Sequence, residues 1–252
     1  MTRLKGLDLL ALGFMTFALF LGAGNIIFPP SAGLAAGESI LPAAAGFLLT
    51  GVGLPLLTVV ALARVGGGMD RLTAPLGRGA GTLLAVAVYL AIGPLFATPR
   101  TAVVSFEMGV APFTGNATIP LLVYTLLFFA AVLFLVLNPG QLVDWVGKFI
   151  TPVLLAAWLV LGGAALFAPA GDIGTTAESY RKGPLLKGFL EGYLTVDTLG
   201  ALVFGVVIAT AIRDRGVSEP ALITRYSMIA GAIAAIGLSL VYLALFYLGA
   251  TS

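Results

Sequence analysis

Three stretches of this chain set polar groups among apolar neighbours, where such groups must either bind something or bond to each other. The first reads Gly22-Ala23-Gly24-Asn25-Ile26-Ile27-Phe28-Pro29-Pro30. Two glycines weaken a helix, two prolines withhold backbone donors from it, and Asn25 carries an amide into an apolar run. A helix that opens here frees backbone groups. The N-terminal end of the second half-helix would suit a carboxylate. Released carbonyls would suit Na⁺ or an ammonium group. Close packing of another helix on Gly22 and Gly24 accounts for the glycines equally well.

The second stretch is Gly192-Tyr193-Leu194-Thr195-Val196-Asp197-Thr198-Leu199-Gly200. A carboxylate deep in an apolar run is costly, so Asp197 reads as a cation ligand, a partner for an amine, a gate, or a hydrogen-bonded structural acid between helices. Thr195 and Thr198 offer hydroxyls, although threonines in such helices often bond back to their own carbonyls. The third stretch, Ile92-Gly93-Pro94-Leu95-Phe96-Ala97-Thr98-Pro99-Arg100-Thr101, is followed by Glu107. Its prolines should kink a helix and hold Arg100 too deep to reach water, so Arg100 needs an internal partner. Glu107 lies on the same face about 10 Å farther along the axis, too far for direct pairing. A gate and a structural ion pair both remain open for Arg100 and Glu107. The aromatics Phe128, Phe129, Phe134, Tyr242 and Tyr247 read as packing or lipid-facing residues.

The elements that carry these groups are long and apolar. Of 252 residues, 60% are hydrophobic and 10% charged, against roughly a quarter charged in soluble domains. A helix crossing a bilayer needs about 20 apolar residues, and seven runs qualify: 8–28, 39–63, 82–109, 119–137, 147–168, 188–212 and 222–248. Their connections alternate in charge. Arg3, Lys5, Arg64, Arg71, Arg78, Lys148, Arg213, Arg215 and Arg225 fall on one side, while the opposite connections hold only Arg181, Lys182 and Lys187. The positive-inside rule makes the first side, with the N-terminus, cytoplasmic. The first apolar run is too long for a cleaved leader and is expected to stay.

The chain has no cysteine and no histidine, which excludes thiolate and imidazole catalysis and Cys/His zinc sites. Asp197, Glu107 and Arg100 alone make a poor catalytic set, so an enzyme is not expected, and no organic cofactor is implied. The small net charge of +2 sits in membrane connections and gives no nucleic-acid surface. Gly77-Arg78-Gly79-Ala80-Gly81 is glycine-rich but lies between two spans and follows no strand, so it is not read as a phosphate loop.

The motif from Gly22 to Pro30, with Thr98-Pro99-Arg100-Thr101-Ala102 and the segment around Asp197, resembles the branched-chain amino acid:cation symporter family of bacteria. The resemblance implies an all-α polytopic protein of the inner membrane with a leucine-transporter-type fold. Two five-helix repeats would run in inverted orientation, and the first and sixth helices would be discontinuous. It implies symport of leucine, isoleucine or valine with Na⁺ or H⁺. Substrate would lie against Ala23, Gly24, Asn25, Asp197 and Thr198, with Phe96 and Phe204 as an apolar wall; Na⁺ would lie near Gly22, Ala23 and Asn25; Arg100 and Glu107 would gate. Residues 8–168 would form one repeat and 188–248 the first two helices of the next, so the chain is expected to be a piece of a carrier of roughly twelve spans. A non-transporting membrane subunit or sensor is the alternative.

Overall fold

The computed structural model describes residues 4–66, 68–115, 117–137, 153, 156–157, 160–163, 167 and 171–252. With so few charged side chains and so much apolar surface, the backbone satisfies its own donors and acceptors locally, and the regular elements among the described residues are helices. Packing divides the chain into two compact units, Met1–Tyr89 with Leu161–Ser252, and Leu90–Val160.

In the first unit, α1 (Gly6–Phe20) stops at Leu21-Gly22 and α2 (Ala23–Ala36) begins at once. A 3₁₀ turn leads to α3 (Ile40–Leu48), a π turn over Leu49–Gly53, and α4 (Leu54–Arg64). Short α5 (Met69–Thr73) and α6 (Arg78–Leu90) follow. In the second unit, a π turn over Ala91–Leu95 precedes α7 (Ala97–Gly109), α8 (Ala111–Thr114) and α9 (Thr118–Leu137). The chain returns to the first unit with α10 (Glu178–Arg181), α11 (Pro184–Tyr193), α12 (Asp197–Arg213) and α13 (Pro220–Ala250).

The core of the first unit forms around α13, which packs on α1, α2, α3, α4 and α12. At 31 residues it is about 46 Å long at 1.5 Å per residue. Its inward stripe runs through Ala230, Ala234, Leu238, Tyr242, Leu245 and Phe246, all buried. The rings of Tyr242 and Phe246 meet Phe47 of α3 edge-on, at centroid separations of 5.4 and 5.2 Å, a favoured aromatic geometry.

Two crossings are close enough to require glycine. A side chain at Gly46 or Gly188 would strike the facing backbone at Leu185 or Ala43 where α3 crosses α11, and one at Gly33 or Gly249 would strike Phe246 or Pro30 where α2 crosses α13. Small residues that let backbones touch are the usual means of helix association in membranes.

Four helical runs among the described residues are long and apolar enough to cross a membrane: Ala23–Arg64, Arg78–Gly109, Thr118–Leu137 and Pro220–Ala250. The bent pair Pro184–Tyr193 and Asp197–Arg213 makes a fifth if taken as one broken span. The expected third, fourth, sixth and seventh spans coincide with these helices. The expected first span divides between the short apolar α1 and the opening of the run Ala23–Arg64, while the fifth lies mostly outside the described residues. The surface matches a lipid solvent: Leu41, Leu83 and Ile119 are each more than 70% exposed, and no residue of α9 is buried.

The segment before α11 straps one end of the first unit. The Ala177 amide donates to the Ala35 carbonyl (2.9 Å) and the Gly174 amide to Ala250 (2.9 Å), while the Glu38 amide donates to Gly174 (3.1 Å). The Thr176 hydroxyl reaches the Ala36 carbonyl at 2.9 Å. These bonds satisfy carbonyls that helix ends leave unpaired. Beside the strap, Tyr180 is 2% exposed, and its hydroxyl has no hydrogen-bond partner among the described residues. Burial, and then the nearby Glu191 carboxylate, push its ionisation above the ordinary tyrosine range.

Two outcomes follow for thermal unfolding in detergent. Gly188→Val cannot be absorbed by a side-chain shift, because the clash is with backbone, and is expected to cost at least about 2 kcal/mol; an unchanged melting point would refute the crossing. Tyr180→Phe removes an unpaired buried hydroxyl and is expected to be neutral or stabilising. In the parent chain the unfolded phenol ionises above pH about 10 while the buried one stays neutral, so stability falls there, and Tyr180→Phe should lessen that alkaline loss.

Candidate functional site

The broken helices meet inside the first unit. At the first break, Leu21 leaves the helical region (ψ 89°) and Gly22 is extended (ψ −178°), which ends α1 and starts α2. The opening is narrower than the sequence implied, since α2 continues through Pro29 and Pro30. Those prolines leave the carbonyls four residues earlier, at Asn25 and Ile26, without an intrahelical donor.

The Asn25 amide N–H donates to the Gly22 carbonyl at 3.1 Å, and the Gly22 amide donates to Asn25 Oδ1 at 3.3 Å. The amides of Ala23 and Gly24 have no intrahelical carbonyl to reach and no acceptor among the described residues. Of the three amides expected to offer themselves to a carboxylate, two are therefore open.

The second break is a turn between Tyr193 and Asp197 across which the axis bends by 47°. Val196 takes φ 66°, a left-handed conformation that a β-branched residue adopts only under strain of order 1–3 kcal/mol. The turn is held by the Val196 amide on the Tyr193 carbonyl (3.1 Å) and by the Thr195 hydroxyl on the Gly192 carbonyl (2.9 Å). Thr195 thus bonds back to its own helix, and Thr198 lies half-buried one residue beyond Asp197. From the neighbouring π turn, Thr50 donates to the Phe189 carbonyl at 2.7 Å and helps fix the end of α11.

Asp197 is the first residue of α12, where the positive end of the helix favours a carboxylate. Asn25 Nδ2 donates to Asp197 Oδ2 at 2.7 Å and also to the Tyr242 hydroxyl, which in turn donates to the same Asp197 oxygen at 3.0 Å. The three side chains close a ring buried to 7% exposure or less. It joins α2, α12 and α13 directly. Phe20, the last residue of α1, meets Phe204 of α12 edge-on at 5.5 Å, so an aromatic contact also joins α1 to α12.

Tyr242 was read from the sequence as a packing or lipid-facing aromatic; it packs, fully buried, against Phe47, and its hydroxyl has the further role of completing the polar ring. A buried tyrosine hydroxyl must find a partner, and its place in the middle of a long apolar helix was the available signal. The side chain of Asn25 makes three bonds within the protein, so in this conformation it acts as a tie between the breaks.

The remaining predicted residues belong to the second unit. Gly93 has non-helical backbone (ψ −116°) beside Pro94, the kink that the prolines implied. The Arg100 guanidinium lies over the Phe96 ring at 5.0 Å from its centroid, a cation–π contact with the residue that caps its own helix. Phe96 and Glu107 are exposed within that unit.

The described residues define a polytopic helical protein with four or five helices long and apolar enough to cross a membrane, and two interrupted helices meet within its first unit. Residues 5–252 match the family described as branched-chain amino acid transport protein, and the chain belongs to that family. It is 79% identical over 252 residues to the branched-chain amino acid transport system 2 carrier protein of Pseudomonas aeruginosa, covering 100% of this chain and 58% of that protein. It is 58% identical to the branched-chain amino acid permease BrnQ of Escherichia coli, over 99% of this chain and 57% of the permease. With the permease BraB of Bacillus subtilis the identity is 47%, over 97% and 56%. These relatives are named as carriers and permeases, not enzymes, and the chain spans less than three-fifths of their length. No solved structure matches it.

The polar ring predicts a graded response in thermal unfolding. Tyr242→Phe leaves Asn25 and Asp197 each short of one bond and is expected to cost about 1–3 kcal/mol. Asp197→Asn keeps an accepting oxygen and should cost less than Asp197→Ala. Equal melting points for the two Asp197 variants would show that the ring does not hold the breaks together.

Proposed function

We propose that this chain carries the substrate and ion site of a symporter for branched-chain amino acids, coupled to Na⁺ or H⁺. Among the observations that support this reading, the one that carries it is the meeting of two interrupted helices at Asn25 and Asp197, with the Ala23 and Gly24 amides left open beside them. Those amides, at the positive end of α2, would receive the substrate carboxylate. The unpaired carbonyls at the end of α1, together with the Asp197 carboxylate, would receive the substrate ammonium or the coupling cation. Phe204, paired with Phe20, would form part of the wall for the branched side chain, and Thr198 at the start of α12 would contact the substrate. The names of the relatives supply the substrate class.

In this reading the chain has seven spans, its N-terminus is cytoplasmic, and spans one and six are the discontinuous helices of a leucine-transporter-type fold. Span one then runs outward and span six inward, so the two breaks present opposite helix ends to one site. Arg100 and Glu107 gate access from the third span. Alternating access requires the Asn25–Asp197–Tyr242 ring to form in some conformations and open in others, so that Asn25 and Asp197 exchange bonds with each other for bonds to substrate or ion.

The test is uptake of labelled leucine into proteoliposomes containing this chain, alone or with a polypeptide that completes the length of its relatives. An inward Na⁺ gradient should drive uptake, and choline in its place should abolish it; uptake that follows only a proton gradient would assign H⁺ instead. Gly24→Leu, which crowds the open amides, should reduce uptake to background, and uptake equal to the parent would overturn the proposed carboxylate site. Leucine binding without uptake under either gradient would favour a binding subunit over a carrier.

A further inference from the structure

Away from the broken helices, three helix ends in the first unit gather positive charge. Helix α4 ends at Arg64, α12 ends at Arg213 and α13 begins at Pro220. A cavity of about 180 Å³ lies among them, lined by Arg64, Arg71 and Arg213 with Gly66 and Ser218. Arg213 donates from Nη2 to the Gly66 carbonyl at 2.7 Å. The Arg71 guanidinium lies against the same glycine, whose φ of 96° turns the chain there. None of these arginines pairs with a carboxylate among the described residues.

A cation at a helix C-terminus is ordinary, and would account for Arg64 and Arg213 separately. It does not account for Arg71, which comes from the short α5 and turns back to the Gly66 bend. Three guanidinium groups around one cavity repel each other unless an anion lies between them. The α13 N-terminus at the rim adds its own positive potential. Planar guanidinium forks match phosphate oxygens in pairs. Basic pockets at the ends of membrane helices hold lipid headgroups in this way. Leu57 lies two turns before Arg64 on the same face of α4 and is 64% exposed, which gives an acyl chain an apolar surface beneath a headgroup held at Arg64.

We infer that this cavity binds the phosphodiester headgroup of an anionic lipid, with Arg64, Arg71 and Arg213 as its ligands. The test is native mass spectrometry of the purified chain in detergent, titrated with phosphatidylglycerol, with phosphatidylcholine, and with inorganic phosphate. Phosphatidylglycerol should bind with preference over phosphatidylcholine. The triple variant Arg64→Gln, Arg71→Gln, Arg213→Gln should weaken its binding about a hundredfold, while the pair Arg78→Gln, Arg215→Gln outside the cavity should leave it unchanged. Arg71 makes no hydrogen bond that holds a helix end among the described residues, so Arg71→Gln alone should move binding in the same direction even where the triple variant fails to fold. Millimolar phosphate that binds in the cavity and displaces no lipid would assign the site to a free anion and overturn the lipid. Unchanged phosphatidylglycerol binding in both Arg71→Gln and the triple variant, or equal loss in the outside pair, would overturn the site.

Discussion

A polar group that leaves water for the interior of a membrane protein must find a partner there, because hydrocarbon offers none. The first unit is organised by that constraint at Asn25, Asp197 and Tyr242. Each comes from a different helix, each is buried, and each meets the other two. The helices that supply them could slide or rotate against one another if only apolar side chains lay between, since lipid and leucine are nearly equivalent neighbours. The polar ring fixes their register. Around it the glycine crossings bring backbones into contact, and the Phe47, Tyr242 and Phe246 rings fill the remaining space beside α3.

The two breaks solve the same difficulty in different ways. At Leu21-Gly22 the chain opens by leaving the helical region, and the Asn25 side chain takes up one of the released amides. At Val196 it turns through a strained left-handed residue, with the Leu194, Val196 and Asp197 amides bonded within the turn. One break therefore keeps open donors at Ala23 and Gly24, while the other presents a carboxylate.

Much of this was legible before any coordinates. Asn25 and Asp197 stand out because polar residues inside apolar runs have no bland explanation that costs nothing, and the glycines around them locate the breaks. The meaning of Tyr242 was hidden because an aromatic in a long apolar helix fits packing just as well. Its partners lie 217 and 45 residues away, a separation that periodicity does not reach. The limits of the first break were also hidden, since a proline pair suggests a helix end, yet α2 accepts Pro29 and Pro30 within its length. The strap was invisible for a related reason: it acts through backbone atoms, which every residue in the connection possesses alike.

That strap gives the first unit an uneven stiffness. At one end, α2 and α13 touch backbone to backbone at Gly33 and Gly249, and the 174–177 segment bonds to the last carbonyls of both. At the other end of α2, Asn25 is bonded to Tyr242 of the same α13. The two helices are thus joined twice along their shared length, while α13 also packs on α1 and so bridges the break at Leu21-Gly22.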